Sequence, residues 1–260
     1  MIIPHHVTGF WAPQPAEDPA RAGSVGAGIL LGEAKARAIP EKRAFYNGAD
    51  ATGLVKGLLA ERGVVVESPY PLGYGYAGSA VLALATALAN FGLEGLVKAH
   101  VAEVENGTGL GDVLAIATGG CLVYRYRPGA PGIGAAEPLK CPKAYAIAVD
   151  LAPYGTPHML STLGPKIREA GLAAMQEFSK NPNFESFLAV ANRFSREVGF
   201  LTRRIEEVAR GVRGLLGYYA KKGVAVFVAE EEWALDALAA TSRLGRARAV
   251  ELRDVSIQLP

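Results

Sequence analysis

Cysteine is nearly absent from this 260-residue chain, which has two, Cys121 and Cys141. That scarcity excludes multi-cysteine zinc modules and a small disulfide-stapled scaffold, and it suits a reducing compartment, so a cytoplasmic protein is expected. An excess of one charge sign is missing as well. Twenty-seven Lys and Arg face 25 Asp and Glu, a formal net charge of +2, which argues against a protein that coats nucleic acid or an acidic membrane surface. Long hydrophobic runs are lacking too. The first ten residues carry Pro4, His5 and His6 where a signal peptide needs unbroken apolar chain, and no run reaches the roughly 20 apolar residues of a membrane span. His158 has no partner at metal-ligand spacing and reads as structural or exposed. Cys121 opens a strand and reads as a small hydrophobe rather than a nucleophile. What remains is a protein whose partner is a small molecule.

Half of the residues are apolar, enough for a sizeable core, and 31 glycines are bunched rather than spread. Such clusters mark places where the backbone comes close to something. Residues 1–70 alternate short apolar stretches with turn residues and predict strands, with one helix over 51–62. Helices are expected over 81–91 and 96–105, the latter stopping at Asn106-Gly107, with another starting at Asp112. Residues 120–127 alternate Leu122, Tyr124 and Tyr126 with Val123, Arg125 and Arg127, a strand with one apolar and one basic face. Pro and Gly crowd 128–142, where no regular structure is expected, so the chain divides into domains at 1–135 and 136–260. Beyond lie strands at 144–150, 224–229 and 250–258 and helices at 166–180, 185–198 and 201–212, an α+β sequence of elements.

Gly73-x-Gly75-x-x-Gly78 spells the dinucleotide fingerprint, but Ser68-Pro69-Tyr70-Pro71 stands where a strand should run straight into the first glycine. No Gly-Lys-Ser/Thr follows, which excludes a Walker loop. The loop instead offers amide groups and a helix N-terminus to an anion, with the hydroxyl of Ser79 in the first turn. Taken alone, a tight turn before a core helix is the plain alternative. A second glycine turn is flanked by Glu103 and Asp112, two acids suited to metal binding and to work on an attacking hydroxyl. Glu103 shares a helix face with His100, whereas Glu105 points away. Phe10 and Trp11 are either core or the wall of a pocket, and the arginines of 242–253 read as a solvated face.

Pro71-x-x-x-Gly75-x-x-Gly78-Ser79-Ala80 and Gly107-x-Gly109-x-Gly111-Asp112 with Gly119-Gly120 resemble the second motif and the acidic motif of the GHMP kinases, the superfamily of galactokinase, homoserine kinase and mevalonate kinase. Within it, residues 3–10, 23–29 and 99–112 resemble the archaeal pantoate kinases, and the likeness covers the N-terminal half well. The resemblance implies a GHMP-kinase-like two-domain α+β fold, with a ribosomal-protein-like N-terminal half and a ferredoxin-like C-terminal half. It also implies ATP- and Mg²⁺-dependent phosphorylation of the primary hydroxyl of pantoate, a step toward coenzyme A. Another GHMP activity or a non-catalytic ATP sensor is the alternative, nucleic acid and membrane are not expected as partners, and a homodimer is admitted.

Position by position, the resemblance makes Ser79 and Glu103 the Mg²⁺ ligands and Asp112 the residue that orients or deprotonates the hydroxyl. The backbone of Gly73, Gly75, Tyr76, Ala77 and Gly78, with Ser79, becomes the phosphate cradle. Ser24, His100 and Arg125 become the substrate-binding set, with Arg125 preferred over Arg127 for a carboxylate that an arginine fork binds bidentately. Two departures accompany these matches. His6 stands where the superfamily's first motif has lysine, and the third motif, at 217–223, has only two glycines, with Lys221 and Lys222 as sources of charge.

Overall fold

The computed structural model describes the backbone of residues 1–153 and 156–260 and the side chains of 1–153 and 162–260, so the His158 side chain lies outside the described residues. Strands β1 (Ile2–Gln14) and β2 (Gly23–Ile39) pair antiparallel along most of their lengths, with register slips between Pro4 and His5 and between Thr8 and Phe10. Gly9 lies in the second slip, where the Phe187 ring approaches so closely that a Cβ would meet it at 2.6 Å. Strands β3 (Ala44–Tyr46), β4 (Ala49–Asp50) and β5 (Gly63–Glu67) extend the sheet beyond β2. In place of the helix expected over 51–62 there are two 3-10 turns, Thr52–Leu54 and Lys56–Leu58, each centred on a glycine that weakens helix.

Helices α1 (Gly78–Phe91), α2 (Gly95–Glu105) and α3 (Asp112–Thr118) cover one face of this sheet. Residues Ala80 through Leu88 of α1 are all buried, which is why the helix is apolar on every side. By length and composition Gly78–Glu105 is apolar enough to cross a bilayer, a correction to the expectation that no run is. The stretch is broken by a 3-10 turn at Gly92–Glu94, and 56 % of its most apolar window is buried inside the protein.

On the far side of β2, β6 (Leu122–Arg127) and β7 (Ala135–Leu139) complete the order β4-β3-β5-β2-β6-β7, with β1 also on β2. Segment 128–142 therefore holds regular structure after all. Its Pro138 sits on an edge strand, where a missing amide donor is tolerated. The last strand of the first sheet ends at Leu139 and the second sheet begins at Ala144. Cys121 and Cys141 are joined in a disulfide, their Cα atoms 6.0 Å apart, because pairing Leu122 with Leu139 brings both to the same end of the ladder. Cys121 is buried in the apolar core, in keeping with its reading as a small hydrophobe, but its sulfur is bonded, which removes the argument for a reducing compartment from free thiols.

The second sheet contains β8 (Ala144–Asp150), β9 (Leu215–Lys221), β10 (Val224–Glu230) and β11 (Ala247–Glu251) in the order β11-β8-β10-β9, every neighbour antiparallel. With α4 (Thr156–Phe178), α5 (Phe184–Val198), α6 (Arg203–Arg210) and α7 (Ala234–Thr241) in the connections, this is a ferredoxin-like half. Period-two alternation in β10 serves two cores. Val224, Val226 and Val228 pack with α4, α5 and β1, whereas Ala225, Phe227 and Ala229 pack with α6 and α7. Because β1 shares the first of these cores, both halves are built around one strand. The strand expected over 250–258 shortens to β11, and two isolated bridges, Gly120 to Val255 and Ile2 to Gln258, return the C-terminal segment to the first half.

Candidate active site

The glycine loop enters α1 through backbone that only special residues adopt readily. Gly73 and Gly75 have φ of +87° and +101°, and Ala77, at φ +56°, precedes the helix in the left-handed region. A Cβ on Gly75 would lie 3.1 Å from the Lys221 carbonyl oxygen, so the loop and the β9–β10 turn press together there. The Tyr76 side chain turns into the protein. Its ring stacks on Tyr70 at 4.3 Å and its hydroxyl donates to Asp150 Oδ1 at 2.7 Å, while Arg248 donates twice to the same carboxylate, at 2.9 and 3.0 Å. His5 Nδ1–H donates to the Tyr76 carbonyl at 2.8 Å, and its Nε2 accepts from Ser68 Oγ. Burial draws the His5 imidazole down to about 4, so it works here as a neutral brace.

Ser79, in the first turn of α1, donates to Glu103 Oε2 at 3.0 Å, and Thr108 donates to Oε1 at 2.6 Å. Burial pushes the Glu103 carboxyl up to about 7 against the hydrogen bond from Thr108, with the charge of Asp112 adding to the rise. Gly109 makes room for Glu103, whose Oε2 a Cβ there would meet at 2.5 Å, and lies beside Asp112, whose Oδ2 would be in ordinary contact at 3.6 Å. Gly111 is needed for a different reason, since its Cβ would overlap the Arg125 guanidinium and lie 2.6 Å from Ser24 Oγ.

Asp112 opens α3 among donors. His6 Nδ1–H reaches its Oδ1 at 2.6 Å, Thr8 Oγ1 at 3.4 Å and the Lys221 ammonium at 3.7 Å. Burial opposes its charge, but Lys221, the His6 hydrogen bond and Arg125 outweigh it and hold the carboxyl well below the usual range. Burial brings His6 down to about 4 in spite of Asp112, which leaves it neutral with its proton on Nδ1 and its buried Nε2 without a partner. Arg125 is fully buried, and its Nε and Nη2 have no hydrogen-bond partner. Desolvation lowers it to about 10, still protonated at neutral pH.

Ser24, Asp112 and Arg125 line one cleft together with Thr8, Trp11, Thr108, Lys221 and Lys222. Ser79 and Glu103 are not among its lining residues and stand behind Thr108 and Gly109, through which Glu103 adjoins it. His100 is likewise not among the lining residues. Its Nε2–H donates to the Ala22 carbonyl at 2.9 Å, so it braces the approach to β2 from which Ser24 projects. Arg127 is exposed although it still pairs with Ala135, because it lies beyond a register slip between β6 and β7 at the open end of β6. The expected division into one apolar and one basic face therefore does not hold: Leu122 through Arg125 are all buried. Segment 217–223 is mostly strand β9, and Lys221 and Lys222 stand at the turn that follows. Thr8 and Thr108 escaped the sequence reading. Thr8 had a faint signal in its spacing of two from His6, which puts both on one face of β1.

No protein-family profile matches the chain. It is 32 % identical to the pantoate kinase of Thermococcus kodakarensis, over 89 % of this chain and 88 % of that protein. The chain belongs to the pantoate kinase family. The pantoate kinase of Methanocaldococcus jannaschii is 28 % identical, over 84 % of this chain and 87 % of that one. Among solved structures, a phosphotransferase related to the CoA biosynthesis pathway superposes with a TM-score of 0.83 at 26 % identity, covering 98 % of this chain and 97 % of that one. The mevalonate kinase of Methanococcus jannaschii shares the fold at a TM-score of 0.62 and 12 % identity, covering 98 % of each chain. The fold is thus the two-domain α+β fold of the GHMP kinases, and the chain is a small-molecule kinase.

A pantoate kinase requires a place for metal-bound nucleotide. Among the described residues no three His, Cys, Asp or Glu side chains gather into a metal cluster. Ser79 and Glu103 nonetheless supply one hydroxyl and one carboxylate, hard oxygen donors of the kind that hold Mg²⁺ together with phosphate oxygens and water. The donor set fits the ion, and a cation there would favour the ionised form of a carboxyl otherwise raised by burial.

Proposed function

We propose that this protein transfers the γ-phosphoryl group of ATP to the primary hydroxyl of pantoate, giving 4-phosphopantoate. The observation that carries the proposal is the convergence of Glu103 and Asp112 on Gly109, beside an Arg125 fork that is buried and short of partners. Such a cleft suits a substrate with a carboxylate at one end and a reacting alcohol at the other.

In this reading the backbone of Gly73, Gly75, Tyr76, Ala77 and Gly78 and the N-terminus of α1 bind the nucleotide phosphates. Ser79 and Glu103 would hold Mg²⁺, which neutralises charge on the phosphates. Lys221 and Lys222 add positive charge where a first-motif lysine is missing. Asp112 orients the hydroxyl and accepts its proton as the new P–O bond forms. Its low basicity is no obstacle, because a loose phosphoryl-transfer transition state asks for positioning more than for a strong base. Arg125 pairs with the substrate carboxylate, Ser24 bonds a hydroxyl, and the face of Trp11 shelters the methyl groups. The cytoplasm is the proposed place of action and a small molecule the proposed partner.

The test is ADP release with ATP, Mg²⁺ and a panel of hydroxy acids and alcohols that includes pantoate, mevalonate and homoserine. Turnover with pantoate is expected. ADP release with another acceptor and none with pantoate would move the protein to a sister activity, and ATP binding with no turnover on any acceptor would make it a sensor.

A further inference from the structure

We infer that His6 is a positioning residue that decides which oxygen of Asp112 meets the acceptor alcohol: with Thr8 and Lys221 it occupies Oδ1 and leaves Oδ2 for the substrate. The inference rests on the reading of Asp112 as the group that faces the alcohol. The contacts from His6, Thr8 and Lys221, at 2.6, 3.4 and 3.7 Å, all end on Oδ1, and none of them reaches Oδ2. Oδ2 lies 3.6 Å from the place of a Gly109 Cβ, on the side of the glycine turn that lines the cleft.

Of the three, His6 fixes the geometry. The Thr8 and Lys221 contacts are long for hydrogen bonds, and a lysine ammonium is a point charge on a flexible stem. The imidazole is planar, wholly buried and unable to swing aside, since its Nε2 presses against Gly28 so closely that a Cβ there would overlap it. A neutral donor also orients the carboxylate without cancelling the charge that draws the alcohol proton. The unpartnered Nε2 is an unfavourable feature that a fold with no use for the Nδ1 contact would avoid by placing an apolar residue there.

The test compares His6→Asn, whose amide nitrogen falls near the position of Nδ1, with His6→Gln, whose amide falls near Nε2. Kinetics with ATP and pantoate are run beside Asp112→Asn, with each variant's Tm recorded. We expect His6→Asn to keep kcat within about threefold and His6→Gln to lose roughly tenfold or more, with KM for ATP changed little in both. Should His6→Gln fail to fold, His6→Leu makes the same comparison against His6→Asn. Equal kcat for the donor-retaining and donor-displacing variants, with Asp112→Asn strongly impaired, overturns the role of His6 alone. Full activity in Asp112→Asn overturns the underlying reading of Asp112 instead.

Discussion

The hydroxyl of Ser79 donates to Glu103 Oε2 across 3.0 Å and so ties the first turn of α1 to the last turn of α2. This contact links the glycine loop to the acidic turn, and on the proposed reading both partners would be ligands of Mg²⁺.

Replacing Glu103 with Gln keeps the size and a hydrogen-bonding group but removes the charged ligand. The Mg²⁺ concentration needed for half-maximal rate should rise roughly tenfold to a hundredfold, the scale on which metal affinity responds to altered coordination. Rates measured against Mg²⁺ at fixed ATP check this, and an unshifted curve would place the metal elsewhere.

Arg125 has free donors, Nε and Nη2, facing no protein acceptor. Arg125→Ala should therefore raise KM for pantoate by about a hundredfold while KM for ATP changes little, consistent with losing a charge-assisted pair. Arg125→Lys should recover only part of the loss, because the planar fork is gone. A larger effect on ATP than on the acid would reverse the assignment.

Stability should fall on mild acidification. His5 and His6 are held near 4 against an ordinary 6.5, so the unfolded chain takes up protons first and their contribution, complete above 6.5, is lost as the pH drops toward 4. Glu103 acts in the opposite direction: with its carboxyl raised from 4.5 to about 7, it favours the folded state at low pH and loses that effect as pH rises through 7. His100, which burial also lowers, adds to the two histidines, so three imidazoles outweigh one glutamate and the net effect of acidification is a loss of stability. Urea midpoints across that range measure it, and a midpoint that stays flat or rises would contradict the neutral burial of these imidazoles.

The Cys121–Cys141 link closes a segment with a sequence separation of 20, for which chain-entropy arguments give about 3 kcal/mol. Adding a thiol-free phosphine reductant should lower Tm by several degrees and expose two titratable thiols after unfolding. Two reactive thiols in the unreduced, unfolded protein would show that the bond is not formed.

The parts of the site that depend on local chemistry were legible in the sequence. The glycine loop marks the start of α1, Gly111 before Asp112 marks the start of α3, and Glu103 follows from helical spacing. Its long-range parts were not. Nothing between residues 6 and 112, or between 112 and 221, announces that these side chains meet, since β-strand pairing and the β9–β10 turn bring them together. Arg125 and Arg127 share a strand face by simple alternation, yet a register slip falls between them, and one lines the cleft while the other is exposed. The cysteines misled because pairing depends on β7, a strand hidden in a segment rich in proline and glycine. His100 has the spacing of a site residue relative to Glu103, yet its imidazole is taken by the Ala22 carbonyl.

Because β1 lies against helices and a strand of the far half, and Lys221 reaches Asp112 beside His6, the proposed reaction centre draws on both early and late stretches of the polypeptide. A nascent chain emerging from the ribosome would carry the residues of the glycine loop long before it held the β9–β10 turn that packs against them. On the proposed assignment of the centre, phosphoryl transfer would switch on only once synthesis has passed the β9–β10 turn.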